Sequence, residues 1–201
     1  MFENRILCAY YCDVNNQVQV NARLPESILT ERLIIKRHRR EDAEEIFYSY
    51  ASKPEATRYV VWNAHQTIED TRGYLRQVIA AWNTGTGFAY TVRLHRPYRL
   101  VGSIGFVPDH DHWQVGYILS PAVWGHGLAT EMLLAMMQSA AIQAFGGLKS
   151  FVHPDNTPSI RVLEKAGFRL SGKVREGVIF PNLGPEPCPC LEFRYGSARF
   201  D

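Results

Sequence analysis

Apolar residues fall in short runs that alternate with two longer stretches of helical spacing. Leu33-Ile34-Ile35, entered from Thr30-Glu31-Arg32 and left at Lys36, predicts a strand. Glu41, Asp42, Glu44 and Glu45 then open a helix with the sign of charge its positive end favours, and Lys53-Pro54 ends it. Thr67-Ile68-Glu69-Asp70 is a capping box. Tyr74, Leu75, Val78, Ile79 and Trp82 recur behind it at helical spacing as far as Asn83-Thr84-Gly85-Thr86-Gly87. Strands are expected at 88–94, 100–107 and 113–119, joined by turns at Pro97 and at Asp109-His110-Asp111-His112. The central helix follows, with Leu133, Leu134, Met137, Ala141 and Ala144 on its buried stripe, methionine as core filler and Gly146-Gly147 as its stop. A strand (148–153), a loop (154–158), a short helix (159–166), a strand to about 175, a proline-rich loop (181–189) and a final strand (191–199) complete the chain. Helices and strands are mixed without strict alternation or segregation, and nothing repeats.

Composition narrows the classes. With 201 residues, 46% hydrophobic and 21% charged, the chain suits one soluble domain with a real core. Residues 1–28 hold only a brief alternation (Val18-Gln19-Val20) and are expected to be an N-terminal extension to a domain spanning 29–201. A net charge of +2 gives no case for nucleic acid. The basic run Lys36-Arg37-His38-Arg39-Arg40, followed at once by acidic residues, is expected to be a solvated charged corner. No run approaches the ~20 apolar residues of a membrane span, and Met1–Arg5 lacks the start of a secretory signal, so no membrane partner and a cytoplasmic location are expected. Cys8/Cys12 and Cys188/Cys190 do not have the common zinc spacing, and neither does the Asp/His alternation at 109–112 look convergent; no metal is expected.

One stretch carries candidate chemistry: an apolar strand end, a proline-marked turn and the entry to the central helix, from Tyr117 to Glu131. The residues entering the helix are Gly125, His126, Gly127, Leu128 and Ala129. None is a good side-chain cap, so the first N–H groups stay open at the positive end of the helix dipole. Two glycines let backbone approach a ligand closely. The pattern fits a phosphate-bearing cofactor, and it also fits an ordinary strand–turn–helix corner.

Trp124-Gly125-His126-Gly127-Leu128-Ala129 resembles the acyl-CoA signature R/Q-x-x-G-x-G/A of the GNAT superfamily of N-acetyltransferases, with Trp124 in place of Arg or Gln. The sequence Trp-Gly-x-Gly-x-Ala-Thr-Glu and the opening Thr30-Glu31-Arg32-Leu33 are similar to the branch typified by ribosomal-protein N-terminal acetyltransferases. A second landmark, Asn156-Thr157-Pro158-Ser159 through Lys165-Ala166-Gly167-Phe168, lies at the family's distance downstream. Two motifs in order, separated by one helix and one strand, are far more specific than either alone.

The resemblance implies an α+β fold in three layers, its central mixed sheet of about seven strands splayed open between 113–119 and 148–153 and flanked by helices. It implies acetyl-CoA as co-substrate and a primary amine as acceptor, with direct attack in a ternary complex. The diphosphate would sit on the amides from Gly125 to Thr130, beside Trp124. The pantetheine would run along Ile118 and Leu119 and meet Asn156 and Ser159. Arg161 and Lys165 would face the nucleotide phosphate or simply solvent. An amide near Leu119 would polarise the thioester carbonyl. For acid and base the residues are less obliging. Gln114 stands where the branch often has Glu, and Leu163 where many members have the acidic tyrosine. Ser159 is the candidate acid or, equally, its own helix's N-cap; His112 and Glu176 are candidate bases, with ordered water as the alternative. A non-catalytic acyl-CoA sensor is the competing class. A dinucleotide oxidoreductase lacks both the third glycine and an acidic residue after the next strand, where His153 stands. Monomer and homodimer both fit.

Overall fold

The computed structural model describes residues 24–109, 112–143 and 147–196. Eight strands form one sheet: β1 (Ser27–Leu29), β2 (Leu33–Arg37), β3 (Phe88–Leu94), β4 (Arg99–Asp109), β5 (His112–Leu119), β6 (Leu148–Val152), β7 (Arg169–Ile179) and β8 (Pro187–Tyr195). Their order across the sheet is β1-β2-β3-β4-β5-β6-β8-β7, and every neighbouring pair is antiparallel except β5 with β6. The eighth strand is β1, a three-residue edge too short to leave a sequence pattern. It lies across the expected boundary at residue 28. Leu24 is already buried in the core and Pro25 accepts the Tyr90 hydroxyl at 3.0 Å, so the folded unit begins at or before Leu24.

Helices cover both faces. α1 (Ala43–Ile46) sits between a 3-10 turn (Arg40–Asp42) and a π turn (Phe47–Ala51). α2 (Pro54–Thr57), α3 (Ile68–Thr84), α4 (Leu128–Met137), α5 (Ala140–Gln143) and α6 (Thr157–Lys165) follow. The strand pleat sends alternate residues to opposite layers. Ala89, Leu100 and Ile118 meet α1 and α3, whereas Tyr90, Val101, Val115 and Leu119 meet α4 and the Leu163–Phe168 corner. α3 behaves as its local signals require. Thr67 Oγ1 accepts from Asp70 N, Asp70 accepts from Thr67 N at 2.8 Å, and Gly85 closes the helix at φ 70°.

Two expectations change. The stripe of α4 is Leu128, Met132, Leu133, Met136 and Met137, while Leu134 is 41% exposed. The helix starts at Leu128 and that anchor sets its phase; it breaks at Gln138-Ser139 rather than running on, and Ala144 and Gly146 lie outside the described residues. The basic corner is not wholly solvated either. Arg93, inside β3, holds Asp42 at 2.6 Å and takes Glu45 in a two-pronged contact at 2.6 and 2.9 Å, with both Arg93 and Asp42 buried. Removing one member of such a buried ion cluster leaves the rest uncompensated, so the cluster pins α1 to the sheet. No helix among the described residues is long and apolar enough to cross a membrane.

His38 lies beside this cluster, 3% exposed, with Nε2 at 3.4 Å from Ser103 Oγ. Burial, and then the Arg93 charge, push its pKa down to about 3 from 6.5. The unfolded chain therefore takes up this proton below pH 6.5 while His38 in the folded protein stays neutral. Stability falls as pH drops from about 6.5 toward 3, by up to about 1.4 kcal/mol per pH unit from this group. Urea titrations across pH 4–7 on the wild type and His38→Phe should show a shallower acid slope in the variant; equal slopes would contradict it.

Candidate active site

The site begins where β5 and β6 part. Their parallel register covers only Trp113↔Leu148 and Gln114↔Lys149. Just beyond, Ser150 Oγ donates to Val115 O at 3.0 Å, a side chain where a ladder bond would otherwise lie. On the other side β5 stays paired with β4 as far as Gly102↔Leu119, and Ser120 N bonds Val101 O at 2.7 Å. In an antiparallel ladder residues alternate between bonding a partner and facing away. With Ser120 bonding β4, Ile118 does so too, and the main-chain groups of Tyr117 and Leu119 turn toward the gap. The Leu119 carbonyl is taken there by Trp124 Nε1 at 2.9 Å. That leaves the Leu119 N–H and the peptide groups of Tyr117 on the side away from β4, and Tyr117 and Ile118 line the cleft.

The loop after β5 is a 3-10 turn (Pro121–Val123) followed by Trp124, whose indole staples the loop to the strand end. Gly125 and Gly127 have φ 80° and 76°, values that favour glycine. α4 then opens at Leu128 without a side-chain cap, and its first internal bond is Glu131 N to Gly127 O at 3.1 Å. Among the described residues, no protein acceptor takes the amides from Gly125 to Thr130. His126 turns its Nδ1 back to Val123 O at 3.3 Å, and Ala129 and Thr130 are half-buried. The geometry favours the anion reading over the bare corner.

Across the gap, Asn156 caps α6: its side-chain oxygen accepts from Ser159 N at 3.3 Å. Ser159 is therefore not the N-cap, and its hydroxyl is free for other work. It lies 2.9 Å from the Tyr117 hydroxyl, which also reaches Ser159 O at 3.3 Å. Burial pushes the Tyr117 phenol well above its usual pKa, and the bond to Ser159 offsets only part of this, so it remains a neutral proton donor. Arg161 and Lys165 are exposed on α6 one turn apart, and Leu163 is buried.

The far wall is aromatic. Tyr59, Trp62, His153 and Phe180 line the cleft together with Gln114. The His153 ring lies 5.0 Å from Tyr59 and 4.9 Å, edge-on, from Phe180. Its Nδ1 accepts from Asp155 N at 3.1 Å, which directs the neutral ring's proton to Nε2. Asn182 ties two loops into this wall, accepting from Ala64 N at 2.9 Å and donating to Thr57 O and Trp62 O at 2.8 Å each. Among the described residues, no Asp or Glu lines the cleft. His112 does not line the cleft: it is buried at the far end of β5, beside Gly147. Glu176 is exposed on β7 and is likewise outside the wall; burial, then the Asp155 and Glu176 charges, raise the pKa of Cys188. Cys190 lines the cleft as a buried apolar contact next to Phe180, and Cys8 and Cys12 lie outside the described residues.

Sequence reasoning passed over two single residues and one pair. Tyr117 was only a landmark, since its partner is 42 residues away. His153 served only as the wrong residue for a ribose. The pair is Thr30 with Arg32, which hold Glu131 across the fold. Glu131 in the first turn of α4 was the one available signal.

This arrangement, a three-layer α/β fold with a parallel seam that opens beside an uncapped, glycine-entered helix, is that of GNAT-type acetyltransferases. The acetyltransferase (GNAT) domain model matches residues 32–169, and the chain belongs to that family. It is similar to the uncharacterized N-acetyltransferase YoaA of Bacillus subtilis (strain 168), 30% identical over 152 residues, covering 73% of this chain and 85% of the relative. Among solved structures, a GNAT-family acetyltransferase from Bacillus anthracis is 25% identical with a TM-score of 0.70, covering 84% of this chain and 97% of the other. RimL, a ribosomal L7/L12 alpha-N-protein acetyltransferase in complex with coenzyme A, shares the fold at 15% identity with a TM-score of 0.73, covering 85% and 97%.

Gly102 tests the geometry of the seam. A Cβ there would lie 2.4 Å from Ile118 O and 2.3 Å from Leu119 Cδ2, so Gly102→Ala must displace β5. The expected cost is about 1–3 kcal/mol in urea unfolding, with weaker coenzyme A binding by calorimetry; a variant matching wild type in both would show that β5 is not held where described.

Proposed function

We propose that this protein transfers the acetyl group of acetyl-CoA to a primary amine, by direct attack within a ternary complex. The supporting observation is the row of unbonded amides from Gly125 to Thr130 beside a gap whose floor is the Tyr117–Ser159 hydroxyl pair. The residues fit the co-substrate. Glycines at 125 and 127 admit a diphosphate to the helix end. The outward-facing groups of Tyr117 and Leu119 suit the amides of an extended pantetheine arm, which would add to β5 as a short strand. The side-chain nitrogen of Asn156, whose oxygen is already spent on the cap, remains to donate.

When bound, acetyl-CoA supplies an activated acyl carbon. The Leu119 N–H stabilises the negative charge that builds on the carbonyl oxygen. As the amine nitrogen bonds to that carbon, the carbon–sulfur bond breaks and the sulfur needs a proton. Tyr117 donates to Ser159 Oγ, so Ser159 passes its own proton to the departing sulfur, takes one from Tyr117, and Tyr117 regains one from water. The amine sheds its own proton to water. An α-amino group with a pKa near ~8 needs little assistance at neutral pH, and neither His112 nor Glu176 reaches the cleft. The aromatic walls fit a primary amine carried on an apolar or flat group, at a peptide N-terminus or on a small molecule. A lining without carboxylates among the described residues disfavours polycationic acceptors.

The test is thiol release from acetyl-CoA across a panel of peptide N-termini, aromatic amines, polyamines and aminoglycosides. Turnover is expected with peptide N-termini or aromatic amines. Ser159→Ala should lower kcat about 10²-fold, and Tyr117→Phe by a smaller factor. Coenzyme A binding without turnover on any amine would favour a sensor instead.

A further inference from the structure

We propose that Arg32 is a phosphate-binding residue of the cofactor site, supplying from the segment just ahead of β2 a cation where Trp124 offers none. The inference rests on the reading that α4 receives a diphosphate. In the signature this chain resembles, the first position is Arg or Gln; here it is Trp124, whose only donor is spent on Leu119 O. Arg32 lies just ahead of β2 and reaches across the fold to the same loop. Its Nη1 donates to His126 O at 2.9 Å, and a Cβ built on Gly127 would lie 3.8 Å from Nη2.

The guanidinium is aimed by Glu131. Its Nε and Nη2 both meet Glu131 Oε2 at 2.6 Å, while Oε1 takes the Arg32 amide at 3.0 Å and the Thr30 hydroxyl at 2.5 Å. Burial raises the pKa of Glu131, but the hydrogen bonds from Thr30 and Arg32 outweigh it and keep the carboxyl ionised. A guanidinium has five N–H donors. One on Nε and one on Nη2 go to Glu131, one on Nη1 goes to His126, and one on each terminal nitrogen remains. The side chain is 44% exposed, and no acceptor among the described residues takes these two donors. The charge balance points the same way. Glu131 stands in the first turn of α4, where a bare carboxylate would repel a diphosphate; Arg32 cancels that charge and turns its remaining donors toward the anion.

The experiment is coenzyme A titration by calorimetry at two salt concentrations, on the wild type, Arg32→Ala, Arg32→Lys, the double variant Arg32→Ala/Glu131→Ala and Gly127→Val, each checked for folding by thermal melting. Arg32→Ala should weaken binding about tenfold or more, with a shallower salt dependence. The double variant should recover part of the loss, because the orphaned carboxylate goes too, and Arg32→Lys should fall between. A purely structural role predicts a double variant no better than Arg32→Ala, and that result overturns the proposal. So does Arg32→Ala binding within twofold of wild type while Gly127→Val loses coenzyme A. Wild type that binds no coenzyme A would overturn the diphosphate reading itself, and this inference with it.

Discussion

The molecule depends on a pairing that stops. β5 and β6 are the only parallel neighbours among the described strands, and their register ends after two residues. A peptide N–H left without a partner in a dry interior costs about 1–3 kcal/mol, so folds rarely tolerate such a seam. Here Ser150 satisfies Val115 O and Trp124 satisfies Leu119 O, both with side chains. What they leave open is a short donor–acceptor edge between Tyr117 and Leu119. Its complement is an extended chain with alternating amides, and the proposed pantetheine arm has that form. The cost of the opening and the use of the opening are one fact.

Around this seam the fold distributes charge by pairing it. Arg93 neutralises Asp42 and Glu45 where α1 meets the sheet. Arg32 neutralises Glu131 where α4 begins. Both guanidiniums come from the β2–β3 half of the sheet and both hold the start of a helical segment. The difference is exposure. Arg93 is buried and has a structural task, whereas Arg32 is half in solvent with donors to spare. One interaction type thus gives an anchor in one place and a usable cation in the other.

Local signals were the legible ones. The box at Thr67–Asp70 and Gly85 bounded α3 because capping involves neighbours in the chain, and the missing cap on α4 was readable for the same reason. Illegible features join distant residues: Thr30 and Arg32 to Glu131, Tyr117 to Ser159, Asp42 to Arg93. A polar residue in a sequence looks the same whether it meets water or a partner a hundred positions away. The basic corner was therefore read as solvated, although His38 and Asp42 are buried. The phase of α4 slipped for another cause. Its apolar residues nearly surround it, so Leu134 and Met136 are equally good candidates until Leu128 fixes the start. His112 and Glu176 were chosen for their chemistry and for lying near turns, which says nothing about which side of the sheet they occupy.

The acid side of the reaction is where sequence and geometry inform each other most. Leu163 at the family's tyrosine position suggested a lost function, yet the structure offers a phenol from β5 instead. Tyr117 is buried deeply enough to stay protonated, and its partner Ser159 is freed for it because Asn156 takes the cap. A serine hydroxyl alone is far too weak an acid to protonate a thiolate. Coupled to a phenol it can pass a proton that it regains at once, and the phenol is refilled from the water that takes the amine's proton. In the proposed reaction two ordinary hydroxyls, each unconvincing alone, form the proton path where the described sheet opens between β5 and β6.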